Sequence, residues 1–409
     1  MIEVIFSIFY LSGLIKSFLI NYDINLFLDF TLLSSLLLIL LILKKKIQKK
    51  ITFSISTHNL QVFYILLFFL IWTILTLFYT QSEKYSYEKV LLFLTNILAF
   101  SIPIFLPSFN VKKVIQIVVI TVPVLTIVYL VLMYKYQTNI ELKEVYRQIS
   151  GLYLTCGGLL GINIIILYTS KKRIFNQRAI SIILLVLSIV LLLLLGARGP
   201  IFFTIISIVL FEIYRFYKVL LKGRFSIEKL KFSFINVTYI SLSLIITFII
   251  FFTYKEEINV LFERSLMRLN LILDSNPSGD MGDSVNTRVE QIKLSLNLIF
   301  SDFKSFIFGY GVGSYGILEN NIDGRAYPHN IFLEIWVELG FIGLLIFILF
   351  LVKFISKKST NQYINFVLIV FILLNSLKSN SIVDIRIYFA LIAMYLISPQ
   401  YHNNNETIN

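Results

Sequence analysis

The sequence predicts an all-α, polytopic integral membrane protein with about 12 transmembrane helices and one large external (periplasmic) loop. Of its 409 residues, 57% are hydrophobic and 14% are charged, whereas soluble domains average about 25% charged residues. Apolar runs of roughly 20 residues, the length that a helix needs to cross hydrocarbon, follow one another along the chain. Backbone groups in lipid must be hydrogen-bonded within their own segment, so these runs are predicted to be helices.

Hydropathy windows place the predicted spans along the chain in order. The spans lie near 4–20, 25–43, 60–79, 88–107, 114–134, 150–169, 179–195, 200–220, 234–253, 330–352, 363–378 and 383–398. The corresponding domains are transmembrane helices 1–9 in 1–253, a large periplasmic loop with amphipathic helices in 254–328, and helices 10–12 with a cytoplasmic tail in 329–409.

The distribution of basic residues predicts the orientation of these spans. Alternate short loops, beginning with "KKKIQKK" (44–50), contain most of the Lys and Arg residues of the connections. The positive-inside rule therefore places these loops and both termini in the cytoplasm, and the large loop outside. Membrane topology also accounts for the net charge of +13, so no nucleic-acid partner is expected.

The large loop contains two predicted helices, "EEINVLFERSLMRLNLIL" and "NTRVEQIKLSLNLIF", around the flexible break "DSNPSGDMGDS" (274–284). In the second helix, Val289, Ile292, Leu296 and Ile299 fall on one face. We therefore expect this helix to lie along the membrane surface or to pack on the helix bundle.

Several arginines are candidates for binding an anion. Arg198 lies in a short turn within "LLLLLGARGPIFF", and an arginine at membrane depth costs roughly 2.5–3.5 kcal/mol unless it faces a cavity or an anionic partner. The alternative is an arginine that snorkels to the interface. Arg288 lies in the first turn of its predicted helix, where the dipole disfavours a cation that a bound anion would stabilise. Ordinary solvated charge is the alternative for Arg288, and the preferred interpretation for Arg264 and Arg268.

His329 is one of only three histidines in the chain. It follows Pro328, which suits the first turn of a helix, and this would place the imidazole where the loop meets the bundle, with a pKa near neutrality. Such a helix start also offers N–H groups to an anion. The alternative is a capping or interfacial role. Because the sequence contains no Walker loop, HExxH, CxxC pair or metal-binding DxD motif, no cofactor and no metal are expected.

The stretch "FGYGVGSYGILENNIDGRAYPHNIFLEIWVELGFIGLLIF" (308–347) resembles the G-x-G…HN-x-x-L-x-x-x-x-E-x-G-x-x-G pattern of the O-antigen polymerase and O-antigen ligase superfamily. "GARGP" resembles the S-R-G element of the family, with Ala197 in place of serine. "YRQISGLYLT" (146–155) resembles its R-x-S-G-x-F-x-x-P-N element but lacks the Pro-Asn pair, which weakens Arg147 as a site residue. The matching residues are Gly309, Gly311, Gly313, His329, Asn330, Leu333, Glu338, Gly340 and Gly343.

The resemblance implies a metal-independent glycosyl transfer on the outer face of the bacterial inner membrane, from a sugar chain carried on undecaprenyl pyrophosphate. The other implied partners are membrane lipids and a chain-length regulator. Glu334 and Glu338 are assigned to different helix faces, and Glu338 is expected to orient the histidine region or to support packing. The implied site comprises His329 and Arg288 as catalytic residues, Arg198, Arg288, Arg325 and Arg147 at the pyrophosphate, and Asn330, Glu338, Gly309 and Gly311 in support. His329 would take the acceptor proton or bind the pyrophosphate.

A polymerase, which adds the glycan to another lipid-linked repeat unit, is preferred to a ligase, which adds it to the lipid A core. The Ile-, Lys-, Asn- and Phe-rich composition is typical of AT-rich polysaccharide gene clusters, and the external loop lacks a large basic surface for a phosphorylated acceptor. A flippase or transporter would need broken helices or polar residues at mid-membrane. A different polyprenyl-dependent glycosyltransferase would use a carboxylate in the first external loop, for which Asp23 is the candidate.

Overall fold

The structure, a computed structural model, describes residues 1–21, 29–137, 151–170, 174–221, 280–356, 364–379 and 381–397. Within these ranges all regular secondary structure is helical, which confirms the predicted fold class. A short 3-10 turn, Thr76–Phe78, continues α3. The helices are α1 Ile2–Asn21, α2 Phe30–Ile47, α3 Thr57–Leu75, α4 Tyr85–Phe105, α5 Val111–Gln137, α6 Leu152–Thr169, α7 Arg178–Leu195, α8 Arg198–Leu221, α9 Asp280–Ile299, α10 Phe303–Phe308, α11 Tyr315–Asn320, α12 Ile331–Ile355, α13 Phe366–Ser379 and α14 Arg386–Leu396.

Every predicted span coincides with one of these helices except that near 234–253, which lies outside the described residues. Among the described residues, eight helices are long and apolar enough to cross a membrane: α1, α3 to α8, and α12. Helices α13 and α14 are apolar but shorter. Helix α2 carries Lys44, Lys45 and Lys46 in its last turn, which lowers its apolar content. The chain is therefore a multi-pass membrane protein.

Aromatic side chains join α4, α12 and α14. The ring of Phe350 on α12 stacks on Phe389 of α14, with centroids 5.5 Å apart, and meets Phe100 of α4 edge to face at 5.7 Å. All three side chains are at most 1% exposed. Each such pair contributes about 0.5–1.5 kcal/mol beyond area burial, so these three helices form a fixed frame for the polar groups near their ends.

Helix α12 is broken at Gly340, where φ is +68° and ψ is −174°. The break frees backbone carbonyls that a continuous helix would satisfy internally. Tyr310 donates its N–H to the carbonyl of Val337 at 2.9 Å, and Gly311 donates to that of Glu338 at 2.8 Å. The turn that follows α10 is thereby fastened to the middle of α12.

Two further features hold this junction together. The indole Nε1–H of Trp72 on α3 donates to the carbonyl of Leu339 at 2.9 Å. A Cβ on Gly340 would lie 2.2 Å from the carbonyl oxygen of Ile307, and a Cβ on Gly309 would lie 2.5 Å from the Gly340 nitrogen. Both glycines also have positive φ, so the close backbone approach and the conformation each require glycine. This is the structural reason for the glycines of the motif.

Helix α9 begins at Asp280, inside the stretch 274–284 that was predicted to be a flexible break. Arg288 consequently lies about two turns into the helix, and the prediction that it occupies the first turn is wrong. The argument that the helix dipole disfavours Arg288 fails with it, since that field is confined to the terminal turns.

The predicted single apolar face of α9 is also divided. Ile299 is fully buried and packs with Tyr315 and Val337, whereas Val289 and Leu296 are 44% and 40% exposed. Helix α9 therefore packs on the bundle through the face that carries Ser295 and Ile299, and Val289 and Leu296 point away from that contact.

Candidate active site

The turn between α7 and α8 places Arg198. Gly196 ends α7 in the left-handed conformation, with φ of +59°, and Arg198 is the first residue of α8. Ala197 is fully buried, and a Cβ on Gly157 of α6 would lie only 2.6 Å from its methyl group. The turn therefore packs closely against α6, and this contact fixes the backbone position of Arg198.

The end of α13 meets the same turn. A Cβ on Gly199 would lie 2.9 Å from Nζ of Lys378, and this ammonium is 5.9 Å from the ring centroid of Phe203. The charges of Arg198 and of Arg288 both act on Lys378. Three cations from α8, α9 and α13 therefore gather at one end of the bundle. We call them the cation cluster: Arg198, Arg288 and Lys378.

Two members of this cluster have no carboxylate at salt-bridge distance among the described residues. In the part of the chain that the structure describes, no carboxylate forms a salt bridge with Arg288 or Lys378. Gathering like charges raises the electrostatic energy of the folded protein unless an anion binds. The arrangement is suited to an anionic ligand.

His329 lies beside the cluster, in a conformation unusual for a side-chain-bearing residue, with φ of +52°. Its ring packs on that of Tyr327 at a centroid distance of 4.6 Å. Its Nδ1 is buried without a hydrogen-bond partner in the described part of the chain. Burial lowers the pKa of His329, the charge of Arg288 lowers it further, and Asp384 opposes both. The imidazole is therefore neutral near pH 7 and can accept a proton.

Asn330 caps α12 directly after His329. Its side-chain oxygen accepts hydrogen bonds from the N–H groups of Phe332 and Leu333, at 2.9 and 3.2 Å. The helix begins at Ile331, so the prediction that Pro328 and His329 form its first turn is wrong. The cap occupies these two N–H groups, and an anion must be held mainly by side chains.

Arg325 is placed differently from the cation cluster. Its guanidinium donates to both carboxylate oxygens of Asp384 at 2.7 Å, and it lies 5.9 Å from the ring centroid of Tyr327. The pair fastens the stretch before α12 to the loop between α13 and α14. Its role at a pyrophosphate stays a prediction.

A second ionic group lies inside the bundle. Lys89 of α4 contacts Glu334 at 2.6 Å and Glu338 at 2.7 Å, and Lys89 and Glu334 are each 1% exposed. Glu334 also accepts hydrogen bonds from the Ser381 hydroxyl at 2.7 Å and the Ile382 N–H at 2.9 Å. We call Lys89, Glu334 and Glu338 the buried triad.

The buried triad corrects one interpretation of the sequence. Glu334 and Glu338 were assigned to different helix faces, but residues four apart share a face, and both bind the same ammonium. Lys89 lies inside α4, within the span predicted near 88–107. Glu338, predicted to be a supporting residue, lies in this triad, and its backbone carbonyl accepts a hydrogen bond from the N–H of Gly311.

Arg147, Arg264, Arg268 and Asp23 lie outside the described residues. Within those residues, no group of three or more His, Cys, Asp or Glu side chains could hold a metal ion.

Sequence comparison identifies the same region. No curated protein matches the chain. A family model described as O-Antigen ligase matches residues 183–348, a range that runs from α7 into α12 and contains Arg198, Arg288 and His329. Over these residues the chain is similar to the O-antigen ligase family, and its resemblance to the O-antigen polymerase and ligase superfamily is confirmed.

Proposed function

We propose that this protein is an O-antigen or related surface-polysaccharide polymerase of the bacterial inner membrane. It transfers a growing glycan from undecaprenyl pyrophosphate to a sugar hydroxyl of another lipid-linked repeat unit. The observation that carries the proposal is the position of Lys378 against the turn that carries Arg198, with Arg288 close enough for its charge to act on both Lys378 and the imidazole of His329. We further propose that this end faces the periplasm and that both termini are cytoplasmic.

The chemistry needs a base and a stabilised leaving group. The acceptor hydroxyl forms a bond to the anomeric carbon, and its proton passes to His329, a step that general-base catalysis accelerates by about 10²–10⁴-fold. The bond from the anomeric carbon to the pyrophosphate oxygen breaks, and its electron pair stays on that oxygen. Arg198 and Arg288 stabilise the added negative charge, because guanidinium groups bind phosphate oxygens in pairs.

The other supporting features concern position. Asn330 starts α12 directly after His329, and the glycine turn at Gly309 and Gly311 fixes the middle of that helix. A general base must be held within hydrogen-bond reach of its proton. The Asn330 cap and the glycine turn fix the two ends of residues 329–340, which meets that requirement.

The second candidate is a ligase that transfers the glycan to the lipid A core, and the description of the matching family favours it. Lipopolysaccharide gels from a strain lacking the gene separate the two functions. Loss of a polymerase leaves core carrying one repeat unit, whereas loss of a ligase leaves core alone. Core carrying one repeat is the result that we expect.

The site is tested in the same strain with His329→Ala. We expect the ladder of long chains to disappear, while His402→Ala, which changes a histidine outside every motif, restores it fully. A wild-type ladder from His329→Ala at normal membrane abundance would overturn the assignment of the base. Transfer by the purified protein should also persist in a chelator, and loss of activity there would contradict metal independence.

A further inference from the structure

We propose that Lys378 is a third cation of the donor site and binds the pyrophosphate together with Arg198 and Arg288. The inference rests on the proposed function and extends it, since nothing in the sequence motifs points to this residue. Lys378 comes from α13, which lies beyond the range that matches the family model.

The first argument is position. Nζ of Lys378 lies over Gly199, at 2.9 Å from where a Cβ would be, and so directly beside the first turn of α8 that carries Arg198. Glycine at this point leaves the space that the ammonium occupies. A lysine that only marked the water boundary would extend away from other cations, but Lys378 is directed towards them.

The second argument is charge. Arg198 from α8 and Arg288 from α9 both act on Lys378, and in the described ranges no carboxylate pairs with Lys378. The ring of Phe203, whose centroid is 5.9 Å from the ammonium, offers it a cation–π contact. A pyrophosphate carries several negative charges and would convert the mutual repulsion of the cluster into attraction.

The third argument is chemical complementarity. Guanidinium groups hold phosphate oxygens in a planar, paired geometry, whereas an ammonium acts as a compact point charge with three donors. During transfer the pyrophosphate oxygen that leaves the anomeric carbon gains the bonding electron pair. A flexible ammonium can follow that growing charge while the two arginines keep the remaining oxygens in place.

The test measures binding of inorganic pyrophosphate to the purified full chain in detergent, by titration calorimetry, and donor KM and kcat in a transfer assay. We expect Lys378→Met to weaken pyrophosphate binding by about 10–100-fold, the loss that follows from removing a charge-assisted contact. Lys378→Arg keeps the charge and should bind within about tenfold of wild type. The control is Lys293→Met, which removes an equal charge from the exposed side of α9 and should change nothing.

A second variant covers the case in which Lys378→Met does not fold. Gly199→Ala keeps every charge and displaces the outer part of the flexible Lys378 side chain, from Cδ to Nζ, so the fold should survive while pyrophosphate binding weakens. Unchanged binding in both folded variants would overturn the role of Lys378, even if the wild type transfers glycans. Saturable pyrophosphate binding that depends on Lys378, in a protein without transfer activity, would support the anion site and contradict the proposed function.

Discussion

The buried triad and the cation cluster both contain a lysine ammonium, and they surround it with opposite kinds of charge. In the triad, the ammonium of Lys89 lies within 2.7 Å of two carboxylates, and backbone and hydroxyl donors satisfy Glu334 further. In the cluster, Arg288 and Lys378 have no carboxylate partner among the described residues, and Arg198 repels Lys378.

The charges of the buried triad stabilise the fold, whereas those of the cation cluster can bind a ligand. Buried charges that already contact opposite charges have little electrostatic potential left to attract a ligand. Removing one partner leaves the others unpaired. An unneutralised group raises the energy of the empty protein and is stabilised when an anion arrives. Substitutions in the triad should therefore lower stability, and substitutions in the cluster should lower activity.

The largest effect is expected in the triad. Lys89→Met should destabilise the protein by about 3–5 kcal/mol, since it leaves two buried carboxylates without their cation. Thermal unfolding of the detergent-purified protein measures the loss. Combining Lys89→Met with Glu334→Gln and Glu338→Gln removes the stranded charges and should recover part of the stability. A Lys89→Met protein as stable as wild type would contradict the distinction between the buried triad and the cation cluster.

Arg288→Ala should show the opposite pattern. We expect transfer to fall by about 10²–10³-fold, the usual loss when a donor to developing charge is removed, with an unfolding temperature equal to or above that of wild type because repulsion is relieved. Initial rates and melting curves from one preparation measure both, and Lys293→Ala on the same helix is the control. Lost stability with unchanged specific activity would assign Arg288 to the fold.

A smaller effect is expected at the start of α12. Asn330→Ala removes the oxygen that accepts from the N–H groups of Phe332 and Leu333 and should cost about 1 kcal/mol of stability. Asn330→Asp keeps the cap and should cost less. Equal melting temperatures for Asn330→Ala and wild type would show that this end of the helix needs no cap.

The smallest effect is a change in the pH profile. Burial and the charge of Arg288 lower the pKa of His329 from its ordinary 6.5, and Asp384 raises it; the ring of Tyr327 packs on the imidazole. Since the base must be neutral, activity should fall only below about pH 6.5. Asp384→Asn removes the carboxylate that favours the imidazolium, so the acidic limb of kcat/KM should move to lower pH. Movement to higher pH would contradict this placement.

The sequence alone predicted the fold class and proposed part of the candidate site, and the residues show why. Apolar runs of sufficient length specify helices regardless of their neighbours, and His329 and Arg198 lie within recognisable local motifs. Lys378 and Lys89 lie outside such motifs, because their partners are distant in the chain. Lys89 and Glu334, for example, are separated by 245 positions. The start of α9 was also missed, since its glycine- and aspartate-rich first turns have low intrinsic helix propensity.

The break at Gly340 also sets an order of assembly. In lipid, an unsatisfied carbonyl costs several kcal/mol, so α12 can bend only when the donors Trp72, Tyr310 and Gly311 are already in position. All three precede α12 in the chain and are synthesised before it. We therefore expect α12 to enter the bilayer as one straight helix and to bend last, so that residues 329–339 reach their final place only after the turn that follows α10 has folded.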